Sequence, residues 1–220
     1  MVGAGAGARR RVNSLRRLLR RTALALAAAL LTIAGTTAIF LTPPVVHLLL
    51  SLSDAPATLG VQAGVAEGLS DALVDDLITA GDFSVPLGNA PLLSDGERAH
   101  LVDVGGLLRT ILFGGIGGLA LLIAAYSRRR SWLRVALHDG AVLIAGGALA
   151  AAAAFALAFD ATFTFFHGLF FAAGTWTFNP ATDRLVQLYP ERFWIAAALL
   201  FCTSLAIFSL LIYRWSLRKR

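Results

Sequence analysis

Apolar and polar positions fall into long alternating blocks along the chain, a pattern typical of a protein that crosses a membrane several times. Apolar runs extend over about 22–52, 105–126, 141–159 and 194–213. About 20 apolar residues suffice to cross the hydrocarbon core of a bilayer. The sequence therefore predicts an all-α membrane protein with four transmembrane helices.

Two polar segments, residues 53–103 and 160–192, separate the first two and the last two spans. The first holds nine acidic residues and one arginine, and apolar residues at spacings of four predict a helix over 64–78. Turn-forming residues fill 81–91, and Pro43-Pro44 predicts a break at the end of the first span. We expect residues 53–103 to form a small extracytoplasmic subdomain of helices and loops, and residues 160–192 to form an extracytoplasmic loop.

A helix start stands out at Ser94-Asp95-Gly96-Glu97, which fits the capping box. No strong breaker follows before Arg128, so one helix is expected from Asp95 to Tyr126. At about 1.5 Å per residue, such a helix exceeds a hydrocarbon core of about 30 Å. Its first turns should therefore stand outside the membrane.

Basic residues are concentrated in three places and set the orientation. Seven lie within residues 9–21, four within 127–134, which we expect to form a tight loop, and four at the C-terminus, out of nineteen in total. Because basic residues flanking spans stay in the cytoplasm, both termini should be cytoplasmic. We expect a basic cytoplasmic tail over 1–21 and one four-helix domain over 22–220, with both polar segments outside the cell.

Composition excludes several classes of protein. The chain is 57% hydrophobic, with a mean hydropathy of +0.73, which is too apolar for an ordinary soluble domain. The net charge of +6 flanks the spans and forms no single basic face, so nucleic acid is not an expected partner. A single cysteine, Cys202, rules out a disulfide framework and a cysteine-based metal site.

Two of the four histidines, His100 and His167, are the candidate catalytic residues. Each is expected at the outer end of a span, at a similar depth, where a neutral imidazole can take a proton. Glu97 and Asp103 lie three residues either side of His100 and could orient it. His47 and His138 are more simply explained as interfacial or capping residues.

The segment after His167 supplies further polar candidates: Trp176, Asp183, Arg184 and Tyr189. No Walker, dinucleotide, GxSxG or HExxH motif occurs, so we expect no cofactor. Histidines and aspartates near the site could bind a metal ion, but they show no spacing typical of one, and none is expected.

These residues resemble a known family. ERAHLVDV, residues 97–104, and FHGLFFAAGTWTFNPATDRLVQLYPERFW, residues 166–194, are similar to motifs of the lipoprotein intramolecular transacylases, four-span membrane proteins of Gram-positive bacteria. The chain departs from the pattern at Gly105, where a basic residue is expected. The resemblance is weakest over 54–93.

The resemblance implies a reaction and a location. An acyl chain would move from the sn-2 ester of a diacylglyceryl-modified N-terminal cysteine to that cysteine's own α-amino group. His100 and His167 would be the two essential histidines, one a base and the other an electrostatic partner; we favour His167 as the base. The partners would be diacylglyceryl-modified lipoproteins and membrane lipids, and the active site would face outward from the cell membrane.

Two other functions fit parts of the pattern. A non-catalytic membrane partner, such as a transporter subunit or a lipoprotein-binding factor, requires no catalytic histidines. The spans lack midplane charges, which counts against a transport path. Another acyl-ester enzyme would need a nucleophile, for which Ser94 and Thr164 are the only candidates near the histidines.

Overall fold

The structure is a computed structural model that describes residues 3–128 and 130–217. The regular secondary structure within these ranges is helical apart from one short antiparallel hairpin. The elements in chain order are α1 (Gly3–Phe40), α2 (Pro43–Leu52), α3 (Ala55–Leu59), α4 (Ala63–Thr79), β1 (Pro86–Leu87), β2 (Ala90–Pro91), α5 (Asp95–Arg128), α6 (Arg130–Leu157), α7 (Phe159–Phe170), α8 (Arg184–Leu188) and α9 (Glu191–Leu217).

Four of the described helices are long and apolar enough to cross a membrane, which confirms the predicted architecture. They are α1, α5, α6 and α9. Two boundaries differ from expectation. Helix α1 runs through the basic segment before residue 22, which contains alanine, leucine and arginine, all good helix formers. The loop expected over 127–134 is mostly helical, with residue 129 outside the described part.

Small residues allow α1 and α5 to pack closely. A Cβ added at Gly118 would lie 2.6 Å from the carbonyl oxygen of Ala27, and one at Gly115 would collide with the side chain of Ala34. Gly117, one residue away on the same helix, has no such neighbour within 4 Å. The glycines of α5 therefore differ in role: Gly115 and Gly118 face the neighbouring backbone, as is common between membrane helices.

Between the first two spans, the chain forms a subdomain, here called the cap, which comprises residues 43–93 together with α8. The break predicted at the proline pair is present, since α1 ends at Phe40 and Pro43 begins α2. Helix α4 matches the predicted helix, and the turn segment closes as a hairpin at Gly88, which has φ of +64°. The buried core of the cap includes Leu50, Leu73, Phe83, Leu92 and Leu188.

The cap is also hydrogen-bonded to a residue within α5. Nη1 of Arg109 donates a 2.8 Å hydrogen bond to the carbonyl oxygen of Leu77, near the C-terminal end of α4. The same guanidinium lies against Gly105, where an added Cβ would be 2.9 Å from Nη1. A basic group therefore lies beside this position although residue 105 itself is glycine.

Helix α7 is the least enclosed helix in the described part of the chain near the site. None of its residues is buried, and Phe165, Phe166, Leu169 and Phe170 are exposed. An apolar helical face of this kind suits the boundary between headgroups and acyl chains. The segment expected to be a loop over 160–192 thus contains two helices, α7 and α8.

Replacing Gly118 with alanine is expected to destabilise the bundle, whereas replacing Gly117 is not. The new methyl group at 118 meets the backbone of Ala27, and overpacking of this kind costs about 1–3 kcal/mol. At 117 the methyl group enters open space, and the gain in helix propensity is at most about 1 kcal/mol. Unfolding by titration with sodium dodecyl sulfate in mixed micelles measures both. Equal stability of the two variants would refute the proposed close contact.

Candidate active site

A buried carboxylate fixes where the site forms. Glu97 is only 1% exposed, and its two oxygens accept three hydrogen bonds. Oε2 accepts from the backbone N–H of Ser94 at 2.7 Å and from its hydroxyl at 2.8 Å. Oε1 accepts from the backbone N–H of Leu185 at 2.6 Å, which joins the first turn of α5 to α8. The capping box is confirmed, and the same glutamate binds a distant segment.

The two predicted histidines lie close together near this bond. The ring centroids of His100, on α5, and His167, on α7, are 6.0 Å apart. His100 is buried, with the rings of Phe171 at 5.0 Å and Phe178 at 5.6 Å from its own. One reacting centre can contact a nitrogen of each imidazole at this spacing, since a hydrogen bond spans about 3 Å.

The hydrogen bond made by His167 defines its tautomer. Nδ1 lies 2.9 Å from the backbone carbonyl oxygen of Phe163, one turn earlier on α7. A carbonyl oxygen only accepts, so Nδ1 carries the proton and donates it. The other nitrogen, Nε2, then holds the lone pair when the ring is neutral. His167 is therefore arranged to take a proton at Nε2.

Aromatic side chains surround His167. The ring of Phe163 lies 3.9 Å away, that of Trp176 4.9 Å and that of Phe171 5.6 Å. Burial lowers the pKa of His167 below its ordinary value, and the hydrogen bond to Phe163 opposes this in part. The neutral, proton-accepting form is thus favoured at neutral pH.

Two polar atoms in this cluster are buried and have no hydrogen-bond partner among the described residues. They are Nδ1 of His100 and Nε1 of Trp176. Such atoms are rare in native proteins because each loses its water without compensation. Their presence beside His167 marks the space between these rings as the place where a polar group of a substrate can bind.

Among the described residues, neither carboxylate expected to orient His100 makes a hydrogen bond to it. Both oxygens of Glu97 are engaged by Ser94 and Leu185. Asp103 is exposed, and Nδ1 of His100 has no partner in the described chain. The ring of His100 lies against Phe171 and Phe178, whereas the side chain of Asp103 is exposed.

Three other predicted site residues make bonds that shape the loop. Asp183 accepts from the backbone N–H of Asn179 at 2.7 Å and closes the Asn-Pro turn. Arg184 donates to Gln187 at 2.9 Å within α8. The hydroxyl of Tyr189 lies 2.7 Å from that of Ser70 on α4, and burial raises the pKa of Tyr189 to about 12.

Three other candidates from the sequence, His47, His138 and Ser94, have partners of their own. His47 pairs with Asp71 at 2.9 Å, and His138 stacks against Tyr213 with ring centroids 4.9 Å apart. The hydroxyl of Ser94, a possible nucleophile, donates a hydrogen bond to Glu97. Within residues 3–128 and 130–217, no group of three or more His, Cys, Asp or Glu side chains is placed to hold a metal ion.

Sequence reasoning missed Phe163 and Phe178 as walls of the site. Phe163 stands four residues before His167, so the two share one helical face, and this spacing is visible in the sequence. The bond from Glu97 to Leu185 leaves no such signal, because the two residues are 88 positions apart.

The comparisons with known proteins identify a family and a fold. The family model described as "Lipoprotein intramolecular transacylase Lit" matches residues 21–194. The solved structure of the membrane integral lipoprotein intramolecular transacylase Lit from Bacillus cereus has a TM-score of 0.77 at 22% identity, covering 92% of this chain and 96% of that chain.

Two variants of the Bacillus cereus protein, with a histidine replaced by arginine or by alanine, are also similar in fold. Their TM-scores are 0.71 and 0.75, each at 20% identity. The two matches cover 96% and 93% of this chain, and 96% and 94% of the respective variant chains. No curated protein sequence shows significant similarity to this chain.

Replacing Glu97 with glutamine is expected to loosen the attachment of α8. The amide group would present its NH₂ to one of the N–H donors now bound by carboxylate oxygens. A mismatch at a buried donor costs about 1–3 kcal/mol. Asp95→Asn is the matched control, since that side chain is 93% exposed on the same turn. Unfolding free energies that fall equally in both variants would contradict the role of Glu97.

The pKa of His167, measured by NMR titration of labelled histidine, is expected below about 6.5, the ordinary value. Trp176→Ala removes part of the aromatic wall and admits water, so that pKa should rise toward the ordinary value. Trp215→Ala, in the last turns of α9, should leave it unchanged. A wild-type pKa at or above about 6.5, or no rise in Trp176→Ala, would contradict burial as the cause.

Proposed function

The chain belongs to the lipoprotein intramolecular transacylase Lit family, and on that premise we propose that it moves the sn-2 acyl chain of a diacylglyceryl-modified N-terminal cysteine onto the α-amino group of the same cysteine. The product is a lipoprotein with an N-acyl, monoacylglyceryl cysteine. The observation that carries the proposal is the pairing of His100 and His167, with ring centroids 6.0 Å apart in an aromatic enclosure.

His167 acts as the general base in this reaction. Its Nδ1 is committed to the carbonyl oxygen of Phe163, so Nε2 is the nitrogen that accepts a proton from the attacking amine. The amine nitrogen forms a bond to the ester carbonyl carbon as that proton leaves. When the bond from carbon to the glycerol oxygen breaks, Nε2 returns the proton to that oxygen. No external donor, acceptor or water is consumed.

His100 stabilises charge on the opposite side of the reacting centre. With the proton on Nδ1, its buried and unpartnered nitrogen donates a hydrogen bond to an oxygen on which negative charge develops. The aromatic walls keep water away, which strengthens that bond. The roles differ because only His167 has a carbonyl oxygen that fixes its tautomer.

The position of the site suits a lipid-anchored substrate. Acyl chains lie in the bilayer, whereas the ester and the amine lie at its surface. His100 is near the start of a predicted span, and His167 lies on α7, whose apolar side chains face outward. Because donor and acceptor belong to one molecule, the protein chiefly has to hold them in a near-attack geometry. We place this site at the extracytoplasmic face, as the distribution of basic residues indicates.

Expression in a host that lacks such an enzyme tests the proposal. The wild type should convert lipoprotein N-termini to the N-acyl, monoacylglyceryl form, detected by mass spectrometry of N-terminal peptides. His100→Ala and His167→Ala should each lower conversion by at least about 100-fold, the contribution of a general acid or base. His138→Ala, which removes a histidine stacked on Tyr213 in the spans, is the control and should retain activity.

Unchanged diacylglyceryl peptides with the wild type would reject the reaction and favour a lipoprotein-binding role without catalysis. Full conversion by both His100→Ala and His167→Ala would reject the mechanism while leaving the reaction in place. Protein levels in the membrane, measured by immunoblot, show that each variant is folded and inserted.

A further inference from the structure

The indole N–H of Trp176 is a buried donor for which the described chain offers no acceptor. Nε1 has no hydrogen-bond partner, although the ring lies 4.9 Å from that of His167. An indole nitrogen only donates, so its partner must be an acceptor. Buried tryptophans usually find one, which makes this case exceptional.

The acceptor does not come from the walls of the site. The nearest ring, His167, uses Nδ1 to donate to the carbonyl oxygen of Phe163, and its Nε2 makes no hydrogen bond to the indole. Phe163 itself meets Trp176 edge-on, with ring centroids 6.4 Å apart, and a phenylalanine side chain has no lone pair to offer. An acceptor that enters with the substrate would satisfy the indole.

A built turn holds Trp176 in this position. After α7 ends at Phe170, both the backbone N–H and the hydroxyl of Thr175 bond to the carbonyl oxygen of Ala172, at 3.2 and 2.9 Å. Gly174 within that turn has φ of +84°, a conformation that suits glycine. The chain thereby reverses and returns Trp176 to the face of α7 that bears His167.

We propose that Nε1–H of Trp176 binds the carbonyl oxygen of the ester that is cleaved and stabilises the negative charge that forms on it. The proposal rests on the proposed function and assigns a further catalytic residue to it. As the amine nitrogen bonds to the carbonyl carbon, the carbonyl π-electron pair moves to oxygen, and the indole proton faces that oxygen. The pair returns when the bond to the glycerol oxygen breaks, and the indole N–H remains intact throughout.

This assignment also gives the two unpartnered atoms different roles. Trp176 takes the carbonyl oxygen, which leaves Nδ1 of His100 to bind the departing glycerol oxygen. His167 neighbours both residues, with its ring centroid 4.9 Å from that of Trp176 and 6.0 Å from that of His100. Each of the three groups then has one atom of the reacting ester or amine to contact.

Replacement of Trp176 with 3-benzothienylalanine provides the sharpest test. Sulfur takes the place of N–H, while the size and stacking of the ring are kept. The wild-type protein and the variant, in lipid vesicles, are given a synthetic diacylglyceryl-cysteine peptide. We expect kcat to fall by about 100-fold or more with little change in KM, as for the loss of an oxyanion donor. Trp215→Phe, in the last turns of α9, is the control and should match wild type.

A wild-type kcat in the benzothienyl variant would overturn the proposal and show that the ring acts by packing alone. An inactive wild-type protein would instead overturn the proposed function, and this assignment with it. A second measurement does not depend on the variant folding. An N-acetylated, unreactive diacylglyceryl-cysteine peptide should shift the indole N–H resonance of Trp176 downfield, whereas its ether-linked analogue should not. Equal shifts, or none, would also overturn the assignment.

Discussion

The carboxylate of Glu97 is the interaction on which the rest of the structure depends. It lies in the first turn of the helix that carries His100, and it accepts a hydrogen bond from the backbone N–H of Leu185. Leu185 belongs to the loop that begins with the helix carrying His167. The two histidines come from distant parts of the chain, and this bond limits how far those parts can separate. Glu97, which the sequence suggests as a partner of His100, is therefore bound to backbone N–H groups instead.

Around the histidines, aromatic rings stand where many hydrolytic enzymes have charged partners. A carboxylate beside an imidazole stabilises its protonated form, whereas phenylalanine and tryptophan favour the neutral one. Nδ1 of His167 is held by the carbonyl oxygen of Phe163 and so needs no acidic residue to fix its tautomer. A base that stays neutral suits a reaction in which an amine must lose a proton in a site with little water.

Most of the fold could be predicted from the sequence, because four long apolar runs and a capping box are local signals. The pairing of His100 with His167 could also be anticipated, since both were expected at the same depth. The partners of Glu97 and the exposure of Asp103 could not, because spacing on one helix does not tell which side meets the cap. Likewise, the extension of helix α1 into the basic segment could not be predicted, because basic charge indicates the side of the membrane and does not exclude a helix.

Helix α7 has no buried residue, yet it holds the proposed base. Its outward aromatic side chains are exposed in the described protein, so a bilayer around them would complete the enclosure. In that sense the bilayer is a structural component of the catalyst, and its lateral pressure bears on the placement of the imidazole. The lipid composition of the membrane thereby becomes a variable of the reaction. Cells can adjust that composition without any mutation in the protein.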